Sequence, residues 1–185
     1  MAKVLLPLAE GFEELEAITV IDVLRRGGVE VVVAALGEAT VVKGAHGVDV
    51  TADARLADVV DEEYAAIVLP GGGLGTENLR RSELLIHRLR RQREENRLLA
   101  AICAAPTVLV AAGVLDPETH VTCYPSCQSE LDRPWAPAPV VEDGLVITGQ
   151  APGSALLFAL VVLKTLAGEP VAAKVAGGMV TDVFS

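Results

Sequence analysis

Cys103 is the residue best placed to do chemistry, because it stands where a buried strand turns into a helix. Segment 101–105 reads AICAA, and Pro106 follows it. A tight strand–turn–helix elbow needs small residues two before and two after its nucleophile, and proline is tolerated at the first helical position. The elbow would aim the sulfur at the helix N-terminus, where N–H groups and the helix dipole favour a thiolate. The alternative is a small cysteine that only fills space beneath the sheet edge, and the pattern alone leaves both open.

Glu16 is predicted to lie on the apolar face of the first helix. At about 100° per residue, it shares one arc with five apolar residues: Ala17, Val20, Ile21, Val23 and Leu24. Glu14 is predicted to point away from that face, as are Asp22, Arg25 and Arg26. An unpaired buried carboxylate is costly, so Glu16 should be protonated or hydrogen-bonded. Because the start of this helix and Cys103 belong at the same rim of the sheet, a protonated Glu16 could donate to a thiolate or to a sulfinate oxygen.

A glycine-rich loop, LPGGGLG (69–75), follows a strand at the same rim. Gly71 and Gly72 permit positive φ and close backbone approach, so their N–H groups can form an anion nest beside the sulfur. A plain tight turn fits the pattern equally well. A dinucleotide fingerprint fits poorly, because Thr76 stands where a third small residue is needed. The sequence has no Walker A motif and no Cys/His spacing typical of zinc, so no metal and no organic cofactor are predicted.

The chain has three histidines, and a Cys–His pair would need one of them near Cys103. His87 falls on the polar side of its predicted helix and His120 begins a predicted strand, so both should be solvated. His46 lies in a predicted glycine-rich hairpin, so it remains a candidate to supply an imidazole to the pocket of Cys103.

Short β-branched runs alternate with helical patterns along the chain. Strands are predicted at 3–9, 30–36, 65–70, 98–102 and 120–124, with hairpins within 37–53 and 139–149. Helices are predicted at 13–28, 76–95, 106–113, 153–168 and 169–178. Continuous apolar strands separated by helices imply a mostly parallel central sheet covered on both faces. We therefore expect residues 1–185 to form one α/β domain, a three-layer α/β/α sandwich.

Composition disfavours several other classes. The net charge is −10, and the one arginine-rich segment, 88–97, mixes signs, so nucleic-acid binding is disfavoured. No apolar run approaches the roughly 18–20 residues of a membrane span, and the first residues lack the features of a secretory signal. We therefore expect a cytoplasmic protein with no membrane partner. Three cysteines are an odd number, better explained as thiols than as a disulfide framework.

Four segments together resemble the DJ-1/PfpI superfamily, most closely its DJ-1 branch with the bacterial YajL/ThiJ-type members. They are AEGFEELEA (9–17), VLPGGGLG (68–75), AAICAAPTVL (100–109) and TGQAPGSALLFAL (148–160). The resemblance implies a flavodoxin-like sandwich and a homodimer. It matches Cys103 to the family's oxidisable cysteine, Glu16 to its protonated glutamate partner, and Gly72 to the glycine whose N–H faces the cysteine.

The resemblance also implies a range of functions. The family is associated with oxidative-stress protection, cysteine-sulfinate sensing and chaperone activity. Some members convert methylglyoxal to lactate without glutathione, and a repair of glycated proteins is contested. Our first hypothesis is an enzyme acting on reactive carbonyls or glycated adducts, with Cys103 as nucleophile, Glu16 as proton shuttle, and N–H groups near Gly72 and Ala104 steadying an oxyanion. The rivals are a non-catalytic sensor or chaperone switched by Cys103 oxidation and, less well supported, a flavodoxin-like binding protein.

Two departures limit what can be transferred from the family. Animal DJ-1 proteins have a histidine where Tyr124 stands here, and tyrosine is a poor base near neutral pH. The protease-like branch has a histidine directly after its cysteine, whereas Ala104 follows Cys103, so peptidase activity is not expected. His46 aligns near an arginine that approaches the neighbouring active site in DJ-1 dimers, so it could supply an imidazole across the interface.

Cys123 and Cys127 flank Tyr124 in TCYPSCQSEL. One interpretation is two surface-loop thiols. The other is that one of them resolves a sulfenate on Cys103 as a disulfide.

Overall fold

The computed structural model describes residues 2–181. The strands are β1 (Lys3–Leu8), β2 (Glu30–Ala35), β3 (Val41–Lys43), β4 (Asp49–Thr51), β5 (Ala54–Arg55), β6 (Ala66–Leu69), β7 (Leu98–Ile102), β8 (Val140–Asp143) and β9 (Val146–Gly149). The helices are α1 (Glu14–Arg26), α2 (Leu56–Val59), α3 (Gly73–Arg81), α4 (Glu83–Glu94), α5 (Pro106–Ala112), α6 (Ala155–Ala167) and α7 (Glu169–Gly178). Short 3-10 helices cover Pro125–Glu130 and Pro152–Ser154.

Seven of these strands form one sheet in the order β5-β2-β1-β6-β7-β9-β8. All neighbours pair in parallel except β8, which pairs antiparallel with β9. β3 and β4 form a separate antiparallel hairpin. Helices cover both faces, so the fold is the predicted flavodoxin-like α/β/α sandwich with a mostly parallel sheet.

The central strands are apolar without alternation because both of their faces are covered. Every residue of β6 and β7 is buried. One face packs against α1, α6 and α7 through a core that includes Val20, Phe158 and Ala172. The other face packs against α2 to α5 through a core that includes Leu85 and Val108.

The layout of the connections places a crevice between β1 and β6. The chain leaves β1 toward the α1 face and leaves β6 toward the α3 face, so the two connections diverge at the carboxyl ends of neighbouring strands. Such a switch point is where open α/β sheets bind ligands. The starts of α1, α3 and α5 all lie at this rim.

Two predicted elements differ from the structure, and two short observed elements were not predicted. The single helix predicted at 76–95 is wrong: Ser82 has extended backbone angles, caps α4 by accepting from Leu85 N, and divides the segment into α3 and α4. The strand predicted at 120–124 is wrong as well, because the segment makes only an isolated bridge between Val121 and Trp135. β5 and α2 were missed, since each is too short to show a period. Among residues 2–181, no helix is long and apolar enough to cross a membrane.

Candidate active site

Cys103 occupies a strained elbow at the end of β7. Its φ is +64°, a conformation that L-residues seldom adopt. Backbone hydrogen bonds hold it on both sides: Cys103 N donates to Gly149 O at 2.9 Å, and Cys103 O accepts from Tyr124 N at 2.7 Å. Proline begins α5 as predicted, and 8% of Cys103 is exposed. Strain of this kind persists only where the surroundings determine it, and it clusters at functional sites.

Glu16 reaches the same place from the first turn of α1. The residue is fully buried, which agrees with its predicted position on the inner face of the helix. Its Oε2 accepts a hydrogen bond of 2.7 Å from Gly71 N. Its Oε1 is buried and has no hydrogen-bond partner. That oxygen is a natural position for a proton, because a neutral carboxyl costs less to bury than a carboxylate.

Gly71 brings the two side chains together because it has none of its own. A Cβ added at Gly71 would lie 2.6 Å from Cys103 Cβ and 2.7 Å from Glu16 Oε2. Gly72 has a φ of +95°, and a Cβ there would meet Gly11 O at 2.3 Å. The N–H groups of Gly72 and Ala104 lower the pKa of the Cys103 thiol. The loop therefore combines close approach with donors aimed at the sulfur, as a nest does.

Burial controls the protonation of this pair. It raises the pKa of Glu16 to about 7, against the opposing effects of the Gly71 N–H and Cys103. Burial, followed by the neighbouring Glu16 charge, raises the pKa of Cys103 to about 12, in spite of the two N–H donors. Burial and the backbone donors therefore act in opposite directions on the thiol, and the resting thiolate stays a prediction.

Glu14, which was predicted to point away from the apolar face of α1, is not exposed to solvent. Its side chain is 11% exposed and turns into the β3–β4 hairpin. Glu14 Oε1 accepts from His46 N at 2.6 Å, and Oε2 lies 2.8 Å from His46 Nδ1. Burial opposes the ionisation of Glu14, but the His46 side chain and the backbone N–H groups prevail and lower its pKa to about 2.

His46 is accordingly bound to α1 and is not aimed at Cys103 from within this chain. Its side chain is 71% exposed, and the neighbouring carboxylates raise its pKa, Glu14 first and then Glu13. The possible ligand atoms of Glu13, Glu14 and His46 lie within 4.8 Å of one another. No sequence motif indicated this cluster, because 32 residues separate Glu14 from His46. His87 and His120 are exposed, as expected.

Cys123 and Cys127 lie behind the elbow, on either side of Tyr124. Tyr124 is 44% exposed, and its backbone is the part that touches Cys103. Cys123 is fully buried, so the interpretation of two surface-loop thiols is wrong for this residue, while Cys127 is half-buried. Both pack into the core on the α2–α5 face, whereas Cys103 belongs to the core on the opposite face.

Together, the fold and this site define a flavodoxin-like protein with a buried cysteine at a nucleophile elbow and a carboxyl partner. Residues 2–165 match the DJ-1/PfpI family. The chain belongs to the DJ-1/PfpI family.

Several relatives are similar over nearly the whole chain. Protein dj-1beta of Drosophila melanogaster is 41% identical over 175 residues, which cover 93% of each chain. The glutathione-independent glyoxalase DJR-1.2 of Caenorhabditis elegans is 37% identical over 171 residues, covering 90% of this chain and 89% of the relative. Protein DJ-1 homolog B of Arabidopsis thaliana is 37% identical over 183 residues, covering 96% of this chain but 41% of the longer relative.

The similarity extends to solved structures. Oxidized Toxoplasma gondii DJ-1 superposes with a TM-score of 0.94 at 36% identity, covering 98% of this chain and all of the other.

Proposed function

We propose that this protein converts small α-oxoaldehydes, such as methylglyoxal, into 2-hydroxy acids without glutathione. The observation that carries the proposal is the contact of a strained cysteine with a buried carboxyl that has one oxygen free. Cys103 as nucleophile, Glu16 as proton carrier and two backbone N–H donors then lie around one small site. The glyoxalase name of the C. elegans relative supports the same reaction class.

In the first step the Cys103 sulfur adds to the aldehyde carbon. The Glu16 carboxylate takes the proton from the sulfur as the S–C bond forms, the carbonyl π electrons move to oxygen, and Glu16 then gives that proton to the oxygen. The N–H groups of Gly72 and Ala104 steady the negative charge on that oxygen until it takes up a proton, which gives a neutral hemithioacetal. Proton sharing with Glu16 removes the need for a permanent thiolate in a dry site.

In the second step Glu16 moves a proton between the two carbons. Its carboxylate takes the proton from the former aldehyde carbon, giving an enediolate, and returns that proton to the neighbouring carbon. The hydroxyl proton passes from the first oxygen to the second, which leaves a 2-hydroxy thioester. One carbon is oxidised and the other reduced, so no external electron acceptor is needed. A pKa raised to about 7 by burial suits this role, because both protonation states are accessible near neutral pH.

In the last step water hydrolyses the resulting thioester. The products are the 2-hydroxy acid and the Cys103 thiol, so the net reaction adds one water to the oxoaldehyde. Every step uses groups of this chain, and the proposal requires neither a metal nor an organic cofactor.

The test is methylglyoxal consumption and lactate formation in the absence of glutathione. We expect turnover in the wild type, and losses of at least a hundredfold in both Cys103→Ser and Glu16→Gln. Glu94→Gln is the matched control, because Glu94 is an exposed carboxylate on α4. Wild-type turnover no faster than the buffer reaction would refute the proposal.

A second candidate function is oxidative-stress sensing through Cys103. The observation that favours it is the small opening, since with 8% exposure the sulfur admits a peroxide more readily than a bulky adduct. Oxidation to sulfinate would place oxygens beside Glu16 and the N–H groups. Protein that forms sulfinate at Cys103 under mild peroxide, yet shows no turnover, would support the sensor and not the enzyme.

We also propose that the protein forms a homodimer through the outer face of α1. Leu15 and Ile18, one turn apart, are 53% and 44% exposed, and Val48 at the neighbouring hairpin is 53% exposed. Val48 N lies 3.4 Å from Glu14 Oε1, so the hairpin and the helix form one apolar surface. A cytoplasmic location and a single domain over residues 1–185 remain part of the proposal. Three free thiols support the location, and one sheet shared by elements from Lys3 to Gly149 supports the domain.

A further inference from the structure

Cys123 and Cys127 converge on one backbone atom. The carbonyl oxygen of Tyr124 accepts from Cys127 N at 2.8 Å and from Cys123 Sγ at 3.2 Å. The first of these bonds closes the initial turn of the 3-10 helix Pro125–Glu130 and brings Cys127 back toward Cys123. The turn runs from Tyr124 to Cys127 and Cys123 directly precedes it, so both cysteines contact the same carbonyl oxygen, one through its sulfur and the other through its backbone N–H.

Burial opposes the ionisation of both thiols and raises the pKa of Cys127 as well as that of Cys123. Burial raises the pKa of Cys123 to about 11, and the adjacent Cys127 contributes to this rise. The indole N–H of Trp135 is buried without a nitrogen or oxygen partner, and it acts on the Cys123 sulfur to lower that pKa. Cys127 is the more accessible thiol, since it is half-buried while Cys123 is fully buried.

The same geometry separates the pair from Cys103. The Cys103 side chain belongs to the core on the α1, α6 and α7 face, together with Glu16 and the Gly71 loop. Cys123 and Cys127 belong to the core on the opposite face. Only backbone joins them, through the Tyr124 N–H that Cys103 O accepts. This placement favours a bond within the pair over the Cys103 crosslink that the sequence suggested.

We propose that Cys123 and Cys127 are a second redox site, which closes to a disulfide on reaction with a hydroperoxide. The Cys127 thiol attacks the peroxide O–O bond, becomes a sulfenic acid and releases water or an alcohol. The Cys123 sulfur then attacks the sulfenic sulfur, the S–S bond forms, and a second water leaves. The peroxide is reduced by two electrons and the thiols are oxidised by two. A small dithiol returns the pair to its reduced form by thiol–disulfide exchange.

Digestion after each glutamate distinguishes a disulfide between Cys123 and Cys127 from a crosslink to Cys103. Cleavage after Glu95, Glu118 and Glu130 puts Cys103 in peptide 96–118 and both other cysteines in peptide 119–130. Folded protein is treated with hydrogen peroxide, the peroxide is removed, free thiols are alkylated as the protein is unfolded in denaturant, and the digest is analysed by mass spectrometry without reductant. We expect peptide 119–130 to be lighter than its reduced form by two hydrogen atoms and to carry no alkyl group.

Three variants keep the test independent of the proposed turnover. Cys103→Ser should form the same internal disulfide, whether or not the protein acts on methylglyoxal. Cys127→Ser should lose it, and Ser126→Ala should keep it. A crosslink between peptides 96–118 and 119–130, or full alkylation of peptide 119–130 after Cys103 has been oxidised, would overturn the proposal.

Discussion

Gly71 N–H donates to Glu16 Oε2 at 2.7 Å, while the Cα of the same glycine leaves no room for a methyl group against Cys103. One residue therefore sets both the hydrogen bonding of the acid and its approach to the sulfur. Four predictions follow from this site and the contacts around it.

Gly71→Ala should destabilise the fold and disable the site. The added Cβ would lie 2.6 Å from Cys103 Cβ, so backbone or side chains must shift, at a cost of about 1–3 kcal/mol. Urea unfolding and the rate of Cys103 alkylation measure the two effects. Gly73→Ala is the control, because Gly73 begins α3 with nothing within 4 Å of an added Cβ, and it should leave both unchanged or raise stability slightly. Equal behaviour of the two variants would contradict this account.

Glu16 should make stability fall as the pH rises from about 4.5 to about 7. Burial opposes ionisation and raises the pKa of its folded carboxyl from an ordinary 4.5 to about 7. The stabilisation is complete below pH 4.5 and is lost as the folded carboxyl ionises. The total loss in the free energy of unfolding is about 3 kcal/mol. Chemical unfolding across this range should show the decline in the wild type and in Glu94→Gln, but not in Glu16→Gln. The same decline in Glu16→Gln would assign it to another group.

Glu14 should have the opposite dependence in a lower range. Burial opposes its ionisation, but hydrogen bonds from His46 and from backbone N–H groups lower its pKa to about 2. Ionised Glu14 therefore adds to the free energy of unfolding above pH 4.5, and this stabilisation is lost as the pH falls toward 2. Glu14→Gln should destabilise the protein by about 1–3 kcal/mol at pH 7, and NMR should show the raised pKa of His46 moving back down. Glu10→Gln, at an exposed loop position, is the control; a His46 titration unchanged by Glu14→Gln would contradict the pairing.

Leu15→Glu should dissociate the proposed dimer. The side chain is 53% exposed in the single chain, and a charge there would be buried against the partner copy. Sedimentation velocity should show a dimer for the wild type and a monomer for the variant. Leu84→Glu is the matched control, since Leu84 is an exposed apolar residue on α4 and should leave the dimer intact. A monomeric wild type would refute the proposed interface.

Much of the fold and part of the site could be predicted from local rules. The apolar runs of β6 and β7 required a sheet covered on both faces, and the period of α1 placed Glu16 on its inner side. The break at Ser82 was missed, because charged residues continue on both sides of it and only a local cap divides α3 from α4.

The sequence by itself determined the parallel α/β class, the elbow at Cys103 and the inward position of Glu16, because steric limits and periodicity act over a few residues. Only the tertiary structure decided how deeply Cys103 and Glu16 are buried, since burial depends on every element around them, and this burial raises the pKa of both groups. It also decided the pairing of Glu14 with His46 and the separation of Cys103 from Cys123 and Cys127. These relations join residues distant in sequence or divide near ones between opposite faces of the sheet, and no local pattern carries that information.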